Sequence, residues 1–538
     1  MREQRSIKNA VTALSLANLC FLAAWCHLLY PPFHGYHLKG TPGWANYLAV
    51  MLDVLLLAVL FFAAVAFIES RQHRARLIEI SRLMFLLITF VALNNIRIQV
   101  FGHLTAPALI AITAGGQLTF LIACFLIFCC VAIVLVRWPH QLSVIAQVIL
   151  LILAPFALIT FATATWALVK RVSPTASAKS QPRAIVNTNI RRSMTRVLWI
   201  IFDELDYRAT FAARPASIKL PEFDRLRNES LFATNAYPPA GETLLSMPAL
   251  IAGRIVTEAR EASPNELLLT FADATERVAW SAQQNIFSRA QSIGGTTAIV
   301  GWYHPYCRVI GSDLTKCSSN DVSFEKDLYG QTLVQSMLKD VREFWLSIPL
   351  VRDALSKFII DDESYEVKHI GSLKASLAQA KEVAADPDLS LVLIHYPTPH
   401  PPCAYNRWRG DFAVDGKCNY FDNLELADRV LGELRNAIER AGLWDQTTVL
   451  VSSDHWWRTQ MWEKQRGWTE EEAQWAAGGK ADHRIPFILK LKNQRQSLIY
   501  DQNFNTILTE DLLLAILNDE LATTDEVKAW LDKRALHQ

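Results

Sequence analysis

The feature that most constrains this chain is the concentration of long apolar runs in its first third. About 20 consecutive apolar residues in a helix are needed to cross the hydrocarbon core of a bilayer, which is about 30 Å thick. Runs near that length predict about five membrane spans, at residues 10–30, 47–68, 80–98, 109–136 and 144–169. Such a chain is expected to be integral to a membrane and not to fold as one water-soluble domain.

Basic residues between the predicted spans indicate the orientation of the chain. They include Arg2, Arg5 and Lys8 at the start, the segment ESRQHRARL at 69–77, and Arg137. The positive-inside rule places these stretches in the cytoplasm, and an odd number of spans then carries everything after the last span outwards. We therefore predict a multi-pass protein of a bacterial inner membrane whose large C-terminal part is periplasmic.

Overall composition argues against a disordered chain and against a nucleic-acid-binding protein. Hydrophobic residues make up 51% of the 538 residues and charged residues 20%, a balance too apolar for a disordered chain. The formal net charge is only +1, so the chain lacks the basic excess of a nucleic-acid-binding protein. No nucleic-acid partner is expected.

Four of the nine cysteines lie outside the predicted spans and form two local pairs, Cys307 with Cys317 and Cys403 with Cys418. In an oxidising compartment each pair would close a short loop as a disulfide. Four unrelated thiols are the alternative. A cysteine zinc site is disfavoured because the chain has no C-x-x-C spacing.

A change of pattern after residue 195 predicts a second structural part. Residues 171–195 are polar and rich in Ser, Thr, Pro and Ala, which favours a linker, with a segment on the membrane surface as the alternative. Short apolar runs separated by helical stretches then follow, which is typical of an α/β domain. The predicted strands are 197–202, 297–302, 391–396, 448–453 and 485–491. The sequence thus predicts a transmembrane helical domain at 1–170, a linker at 171–195 and an extracytoplasmic domain at 196–538.

One helix can be predicted closely, because apolar residues between Leu424 and Ile438 recur every three or four positions. Asp422, with Glu425 three residues later, resembles a capping box at its start. Gly442 is expected to follow its end.

Polar residues gather where the predicted strands end, and open α/β sheets place their ligands at the carboxyl ends of strands. These residues are Asp203, Glu204, His395, His400, Asp454 and His455. Their oxygen and nitrogen atoms suit zinc or manganese. Each residue alone fits a structural role equally well, so the prediction of a metal site rests on their convergence.

A hydroxyl group that such a metal could activate is supplied by the segment PPAGETLLSMPALIAGR, at 238–254. Thr243 and Ser246 precede an apolar helical run there, so Thr243 is expected near a helix N-terminus. The positive end of the helix dipole favours an alkoxide and an anionic phosphoryl group at that position. The alternative is that Thr243 only caps the helix.

Five segments in order resemble a known superfamily: FDELD (202–206), ETLLSMPALIAGR (242–254), HYPTPHPP (395–402), VSSDH (451–455) and DHRIP (482–486). They look like the sulfatase and alkaline phosphatase superfamily. With the membrane anchor and the T-x-x-S-x-P pattern, the chain most resembles the membrane phosphoethanolamine and phosphoglycerol transferases. The resemblance covers about residues 196–491 and implies an α/β sandwich with a central mixed sheet.

The resemblance also implies roles for individual residues. It makes Asp203, Asp454 and His455 metal ligands and Thr243 the metal-bound nucleophile. His400 and His483 match the histidines that hold phosphoryl oxygens or shuttle protons. Glu204 and His395 are further candidates for the site. The implied metal is zinc, with manganese as the alternative.

The implied activity moves a phosphoethanolamine or phosphoglycerol headgroup from a membrane phospholipid to an envelope glycan or lipid through a phospho-threonine. Sulfatases carry Cys or Ser at the position of Thr243 and Arg where this chain has Met247, which disfavours formylglycine chemistry. A phosphodiesterase that transfers to water is the first alternative. A non-catalytic membrane scaffold is the second, and a transporter is disfavoured because the spans show no repeated halves.

Overall fold

The computed structural model describes residues 2–38, 41–70, 75–101, 137–172, 194–320, 330, 332–348, 365–463, 467–479 and 482–535. Contacts divide the chain into two compact units. Unit 1 comprises residues 1–32, 40–177 and 327–362, and unit 2 comprises 33–39, 178–326 and 363–538. Two segments lie in the other unit from the one that a simple N-terminal and C-terminal division would give them: residues 33–39 belong to unit 2, and residues 327–362 belong to unit 1. The boundaries at 170 and 196 stay a prediction about domains, and most of the predicted linker lies outside the described residues.

The α-helices of the described residues, in chain order, are α1 (Arg2–Cys20), α2 (Leu22–Leu29), α3 (Trp44–Ser70), α4 (Ala75–Phe101), α5 (Pro139–Val172), α6 (Pro221–Arg227), α7 (Thr243–Ala252), α8 (Ile286–Ser292), α9 (Tyr306–Val309), α10 (Leu333–Leu346), α11 (Tyr365–Ala384), α12 (Tyr420–Arg440), α13 (Thr459–Trp462), α14 (Glu470–Ala477), α15 (Thr509–Leu517) and α16 (Thr524–Ala535). Short 3-10 helices lie at Pro32–Gly35, Trp280–Ala282, Gly311–Asp313 and Thr506–Leu508, and a π-helix lies at Arg208–Ala212.

The strands are β1 (Arg196–Phe202), β2 (Leu231–Tyr237), β3 (Val256–Ser263), β4 (Glu266–Phe271), β5 (Val278–Ala279), β6 (Thr297–Gly301), β7 (Lys316–Ser319), β8 (Leu391–Tyr396), β9 (Tyr405–Asn406), β10 (Asp411–Phe412), β11 (Thr447–Ser452), β12 (Ile485–Lys490), β13 (Leu498–Tyr500) and β14 (Phe504–Asn505).

In unit 1, three helices of the described residues are long and apolar enough to cross a membrane: α3, α4 and α5. A fourth candidate is the pair α1 and α2, which is bent by 63° at a short break. These elements match four of the five predicted spans. The span predicted at 109–136 lies outside the described residues. The N-terminal apolar helices fit a membrane protein.

Unit 2 is built on a mixed sheet, as predicted, with the order β13-β2-β12-β11-β1-β8-β6-β7 and with β14 also paired to β2. β11, β1, β8, β6 and β7 run parallel, and β12 is antiparallel to both β11 and β2. All five predicted strands are present, with bounds that differ by at most one residue.

Both faces of the central strands are buried, which explains why they read as continuous apolar runs. Along β1, Val197, Trp199 and Ile201 pack in one hydrophobic core, and the alternate residues pack in the other. The two cores therefore lie on opposite faces of the sheet.

The predicted start of the helix between Leu424 and Ile438 is wrong by several residues. This helix is α12, and its N-cap is Asn419, whose side chain accepts from the backbone N–H of Asp422 while the Asp422 carboxylate accepts from that of Asn419. Asp422 is thus the third residue of the helix and the partner of the N-cap in the capping box, not the N-cap itself. Asn and Asp both serve well in these roles, so the pattern alone placed the box one turn too late.

Two disulfides close loops in unit 2, Cys307–Cys317 and Cys403–Cys418. Both predicted pairs are confirmed. Since disulfides persist in oxidising compartments, they indicate such an environment for this part of the chain.

Candidate metal centre

The sheet brings the predicted acidic residues together because β1 and β11 are adjacent and parallel. Asp203 follows the last residue of β1, and Asp454 and His455 follow β11 within three residues. All three side chains are fully buried, and they offer ligand atoms that lie within 4.8 Å of one another. Residues about 250 positions apart in sequence thus form one cluster of oxygen and nitrogen donors.

Thr243 completes this cluster from helix α7, where it is the first helical residue after the N-cap Glu242. Its Oγ1 lies 2.8 Å from Oδ2 of Asp454, 3.2 Å from Oδ2 of Asp203 and 3.2 Å from Nε2 of His455. The hydroxyl therefore faces the three candidate ligands instead of capping its own helix. The dipole of α7 adds partial positive charge at this position.

The tautomer of His455 follows from its second hydrogen bond. Nδ1 lies 2.9 Å from the carbonyl oxygen of Trp456, which can only accept, so Nδ1 carries the proton. Burial lowers the pKa of His455 to about 3, which keeps the ring neutral. Nε2 is left as a lone pair facing the carboxylates, the form in which histidine binds a metal.

The carboxylates also fit a cation. Burial, and after it the neighbouring Asp454 and Glu204, raise the pKa of Asp203 well above its usual range, and burial raises the pKa of Asp454. Among the described residues, Oδ1 of Asp203 has no hydrogen-bond donor although it is buried. Two buried acidic groups in contact with one hydroxyl need a compensating positive charge to remain ionised. The Asp-Asp-His group could therefore hold a divalent metal.

Glu204 is not part of this group of ligand atoms. Its carboxylate accepts from Nε of Arg458 at 2.7 Å and from Nε1 of Trp462 at 2.8 Å. The Glu204 backbone has a φ of +61°, a conformation that is costly for a residue other than glycine and that is common at functional sites. Glu204 thus fixes Arg458 beside the centre.

His395 lies at the edge of the centre, with its Nε2 3.8 Å from Oδ2 of Asp203. That nitrogen accepts from the indole N–H of Trp302 at 3.2 Å, and Nδ1 lies 3.0 Å from the hydroxyl of Tyr306. Burial lowers its pKa to about 4, so the ring is neutral. Both ring nitrogens already have partners.

The two histidines predicted for proton transfer lie in different surroundings. The ring of His400 lies between Trp302 and Trp462, with centroids 5.1 and 5.2 Å away, and its backbone N–H donates to the carbonyl oxygen of Asp203. His483 is exposed and stacks on Trp456 at 4.0 Å.

Trp456 in turn covers the turn that leads to Thr243. A Cβ added to Gly241 would lie 2.6 Å from the Trp456 ring, so only glycine fits there. The stack of His483 on Trp456 therefore forms one wall next to the segment that carries Thr243.

Tryptophans that follow the Asp454-His455 pair pack inside unit 2. Trp457 is buried and stacks on Tyr420 at 3.7 Å, and Trp475 stacks on Trp457 at 5.1 Å. These rings therefore contribute to the core of unit 2.

The sequence did not identify Arg458, nor His304 and Tyr36. Nε2 of His304 lies 3.1 Å from the carbonyl oxygen of Thr243, and Nδ1 of His304 lies 2.9 Å from the hydroxyl of Tyr36. His304 follows β6 in the way that Asp454 follows β11, so the same rule could have marked it. Arg458 lies only four residues after Asp454. Tyr36 precedes the second predicted span and carries no signal that connects it to a site more than 200 residues away.

Comparisons with known proteins agree with this architecture. A model of the family described as Sulfatase matches residues 195–518, which is more than half of the chain. No curated protein matches the chain.

Solved structures with similar folds include a sulfatase, PsFucS1 from Pseudoalteromonas sp., at 16% identity over 61% of this chain and 69% of that chain, with a TM-score of 0.41. A phosphonate monoester hydrolase of Agrobacterium radiobacter is 14% identical over 60% and 74% of the two chains, with a TM-score of 0.37. Murine ectonucleotide pyrophosphatase/phosphodiesterase 5 is 12% identical over 62% and 99%, with a TM-score of 0.35. Because the family model matches residues 195–518, more than half of its length, this chain belongs to the sulfatase family.

Proposed function

We propose that this protein is a membrane-bound phosphotransferase that moves a phosphoethanolamine or phosphoglycerol headgroup from a phospholipid to an envelope glycan or lipid. The observation that carries the proposal is the placement of the Thr243 hydroxyl, within 3.2 Å of Asp203, Asp454 and His455. A threonine in this position supports phosphoryl transfer, because the formylglycine of sulfatases is made from Cys or Ser. The apolar helices of unit 1 support a lipid donor, which is confined to the membrane.

In the proposed first step, Oγ1 of Thr243 attacks the phosphorus of the donor and the bond from phosphorus to the diacylglycerol oxygen breaks. As the new bond to phosphorus forms, the hydroxyl proton is released to solvent, and the hydrogen bond from Thr243 to Asp454 orients the oxygen for attack. A divalent metal held by Asp203, Asp454 and His455 would lower the pKa of the hydroxyl and stabilise charge on the phosphoryl oxygens. The product on the enzyme is a phospho-threonine that carries the headgroup.

In the second step an acceptor alcohol attacks the same phosphorus, and the bond to Thr243 breaks. We assign proton transfer to the leaving and accepting oxygens to His400 and His483. The exposed position of His483 suits contact with a large acceptor, and the enclosed ring of His400 suits the lipid-derived leaving group. We propose zinc as the metal, with manganese as the alternative, and a periplasmic location for unit 2.

The test is to incubate the full chain with vesicles of phosphatidylethanolamine or phosphatidylglycerol that carry a label in the headgroup. The covalent label on the protein is then mapped by mass spectrometry. Label is expected on Thr243 and absent from a Thr243→Ala variant. Ser246→Ala is the matched control, because Ser246 lies one turn along the same helix and its hydroxyl donates to the carbonyl oxygen of Ala240. Label on another residue, or turnover by Thr243→Ala, contradicts the assignment.

The same experiment separates the alternatives. Headgroup that appears in solution and not on an added glycan or lipid acceptor indicates a phosphodiesterase. A protein that binds no divalent metal and forms no phospho-threonine is a scaffold.

A further inference from the structure

Helix α10 of unit 1 has its polar and apolar faces reversed relative to a helix on a water-soluble protein. Its inward face carries Ser336, Asp340 and Glu343, which recur at helical spacing. The side chain of Ser336 is buried and bonds to Nδ2 of Asn46 at 2.9 Å, and Oε2 of Glu343 lies 3.4 Å from Nδ1 of His27. Oδ2 of Asp340 is buried too, without a hydrogen-bond partner among the described residues. Polar groups on this face therefore contribute to the contact of α10 with the rest of unit 1.

The opposite face of α10 is apolar and exposed. At 100° per residue, a second row of side chains lies on the side of α10 opposite to Ser336, Asp340 and Glu343. Its members are Val334, Leu338, Val341 and Trp345, with 65%, 65%, 36% and 47% of their surface exposed. A helix that faces water would carry this row on its inward side.

The neighbours of α10 belong to the predicted membrane helices. The ring of Phe344 lies 6.1 Å from that of Phe21, at the break between α1 and α2, and Asn46 is the third residue of α3. Exposed apolar side chains also line α3 itself, where Val59 and Leu60 are each 65% exposed. The outer row of α10 thus belongs to the same compact unit as the surfaces that would contact lipid.

We propose that α10 is a membrane-embedded helix whose row Val334, Leu338, Val341 and Trp345 contacts the acyl chains of the bilayer. An apolar solvent favours this arrangement, because it stabilises an exposed apolar row and leaves the polar groups to pair inside the protein. Trp345 at one end of the row fits the preference of tryptophan for the membrane interface. The chain therefore returns to the membrane between two segments of unit 2. This inference does not depend on the proposed activity.

The test places an environment-sensitive fluorescent amino acid at single positions of the full chain, reconstituted in bilayers with or without brominated acyl chains. Three positions of equal exposure are compared: Leu338 on α10, Leu60 on α3 and Ile499 on β13, which are 65%, 65% and 67% exposed. The probe at Leu338 is expected to emit at short wavelength. Brominated lipid is expected to quench it, and the extent of quenching should lie within about twofold of that of the probe at Leu60. The probe at Ile499 reports the extent of quenching without contact with acyl chains.

Quenching at Leu338 no greater than at Ile499, while the probe at Leu60 is quenched, overturns the proposal. The probe at Leu338 could also emit at short wavelength without being quenched by brominated lipid, and lose that emission when the protein is diluted in lipid. This result would assign the row to a contact with a second copy of the chain, and it would overturn the proposal as well. In the same samples, the two disulfides report that unit 2 is folded, and quenching of the probe at Leu60 reports that unit 1 is inserted in the bilayer.

Discussion

The hydroxyl of Tyr36 lies 2.9 Å from Nδ1 of His304, and Nε2 of His304 lies 3.1 Å from the carbonyl oxygen of Thr243. The carbonyl can only accept, so Nε2 carries the proton and Nδ1 accepts from Tyr36. Burial lowers the pKa of His304 well below its usual value and raises that of Tyr36 well above, so both stay neutral. A residue that precedes the second predicted span thus fixes the first residue of the helix that carries the proposed nucleophile.

We expect Tyr36→Phe to reduce the rate of phospho-threonine formation by about tenfold, a change of about 1.4 kcal/mol in the barrier. The reason is that His304 loses the donor that fixes its orientation towards Thr243. The donor concentration at half-maximal rate should stay unchanged, because Tyr36 is assigned no contact with substrate. The measurement is the single-turnover rate against donor concentration.

Tyr396→Phe is the matched control, since its buried hydroxyl also makes one hydrogen bond, to the carbonyl oxygen of Leu373 at 2.9 Å. Each variant should lose about 1 kcal/mol of stability. Equal losses of rate in both variants would show that Tyr36 has only a structural role.

We expect Asp454→Asn to abolish tight binding of a divalent metal. Asp454 is one of the three proposed ligands, and losing a direct ligand costs more than the ~10–100-fold typical of outer partners. The measurement is metal content after dialysis, with roughly one ion per chain expected for the unmodified protein. Asp482→Asn serves as the control, because Asp482 pairs with Arg484. Full metal content in Asp454→Asn would place the metal elsewhere.

We expect Glu204→Gln to retain the metal but to destabilise unit 2 by roughly 3 kcal/mol, because Arg458 loses its buried partner. A second change, Arg458→Met, should recover part of that loss by removing the unpaired charge. Metal content and chemical denaturation of the two variants give the two readouts. Loss of metal in Glu204→Gln would instead make Glu204 a ligand.

The stability of unit 2 should depend on pH through Asp428, whose carboxylate accepts from the backbone N–H of Phe223 at 2.8 Å. Burial raises its pKa to about 7, compared with about 3.9 in an unfolded chain. Between these values the folded protein holds a proton that the unfolded chain has released, so stability falls as pH rises from about 4 to 7. Asp428→Asn removes this titration.

From pH 4 to pH 7 the unmodified protein should therefore lose roughly 2 to 4 kcal/mol of stability that the Asp428→Asn variant keeps. Denaturation at a series of pH values measures it. A difference that stays constant over this range would refute the prediction, and one that keeps growing above pH 8 would point to another group.

Replacing Cys403 and Cys418 together by serine should destabilise unit 2 by about 3 kcal/mol, because the disulfide closes a loop with a sequence separation of 15. A reductant breaks both disulfides of the unmodified protein, so reduction should cost it more stability than the double replacement does. The variant should still respond to the reductant through Cys307–Cys317. A variant that is as stable as the unmodified protein before reduction would contradict the prediction.

Much of the candidate site was predictable because its residues follow continuous apolar strands. Asp203 follows β1, and Asp454 and His455 follow β11, so the general rule for open α/β sheets predicted their convergence. The sequence could not decide whether the Thr243 hydroxyl caps its helix or faces the carboxylates. A cap and a nucleophile use the same residue type at the same position.

The sequence by itself determined the elements whose pattern is local: the apolar helices, the five main strands, the two cysteine pairs and the polar residues at the strand ends. Only the tertiary structure decided the partners of those residues. The pairing of Glu204 with Arg458, the contact of Tyr36 with His304 and the reversed faces of α10 all depend on segments brought together from distant parts of the chain. Periodicity reports which face of an element is apolar, but what covers that face is set by packing between elements.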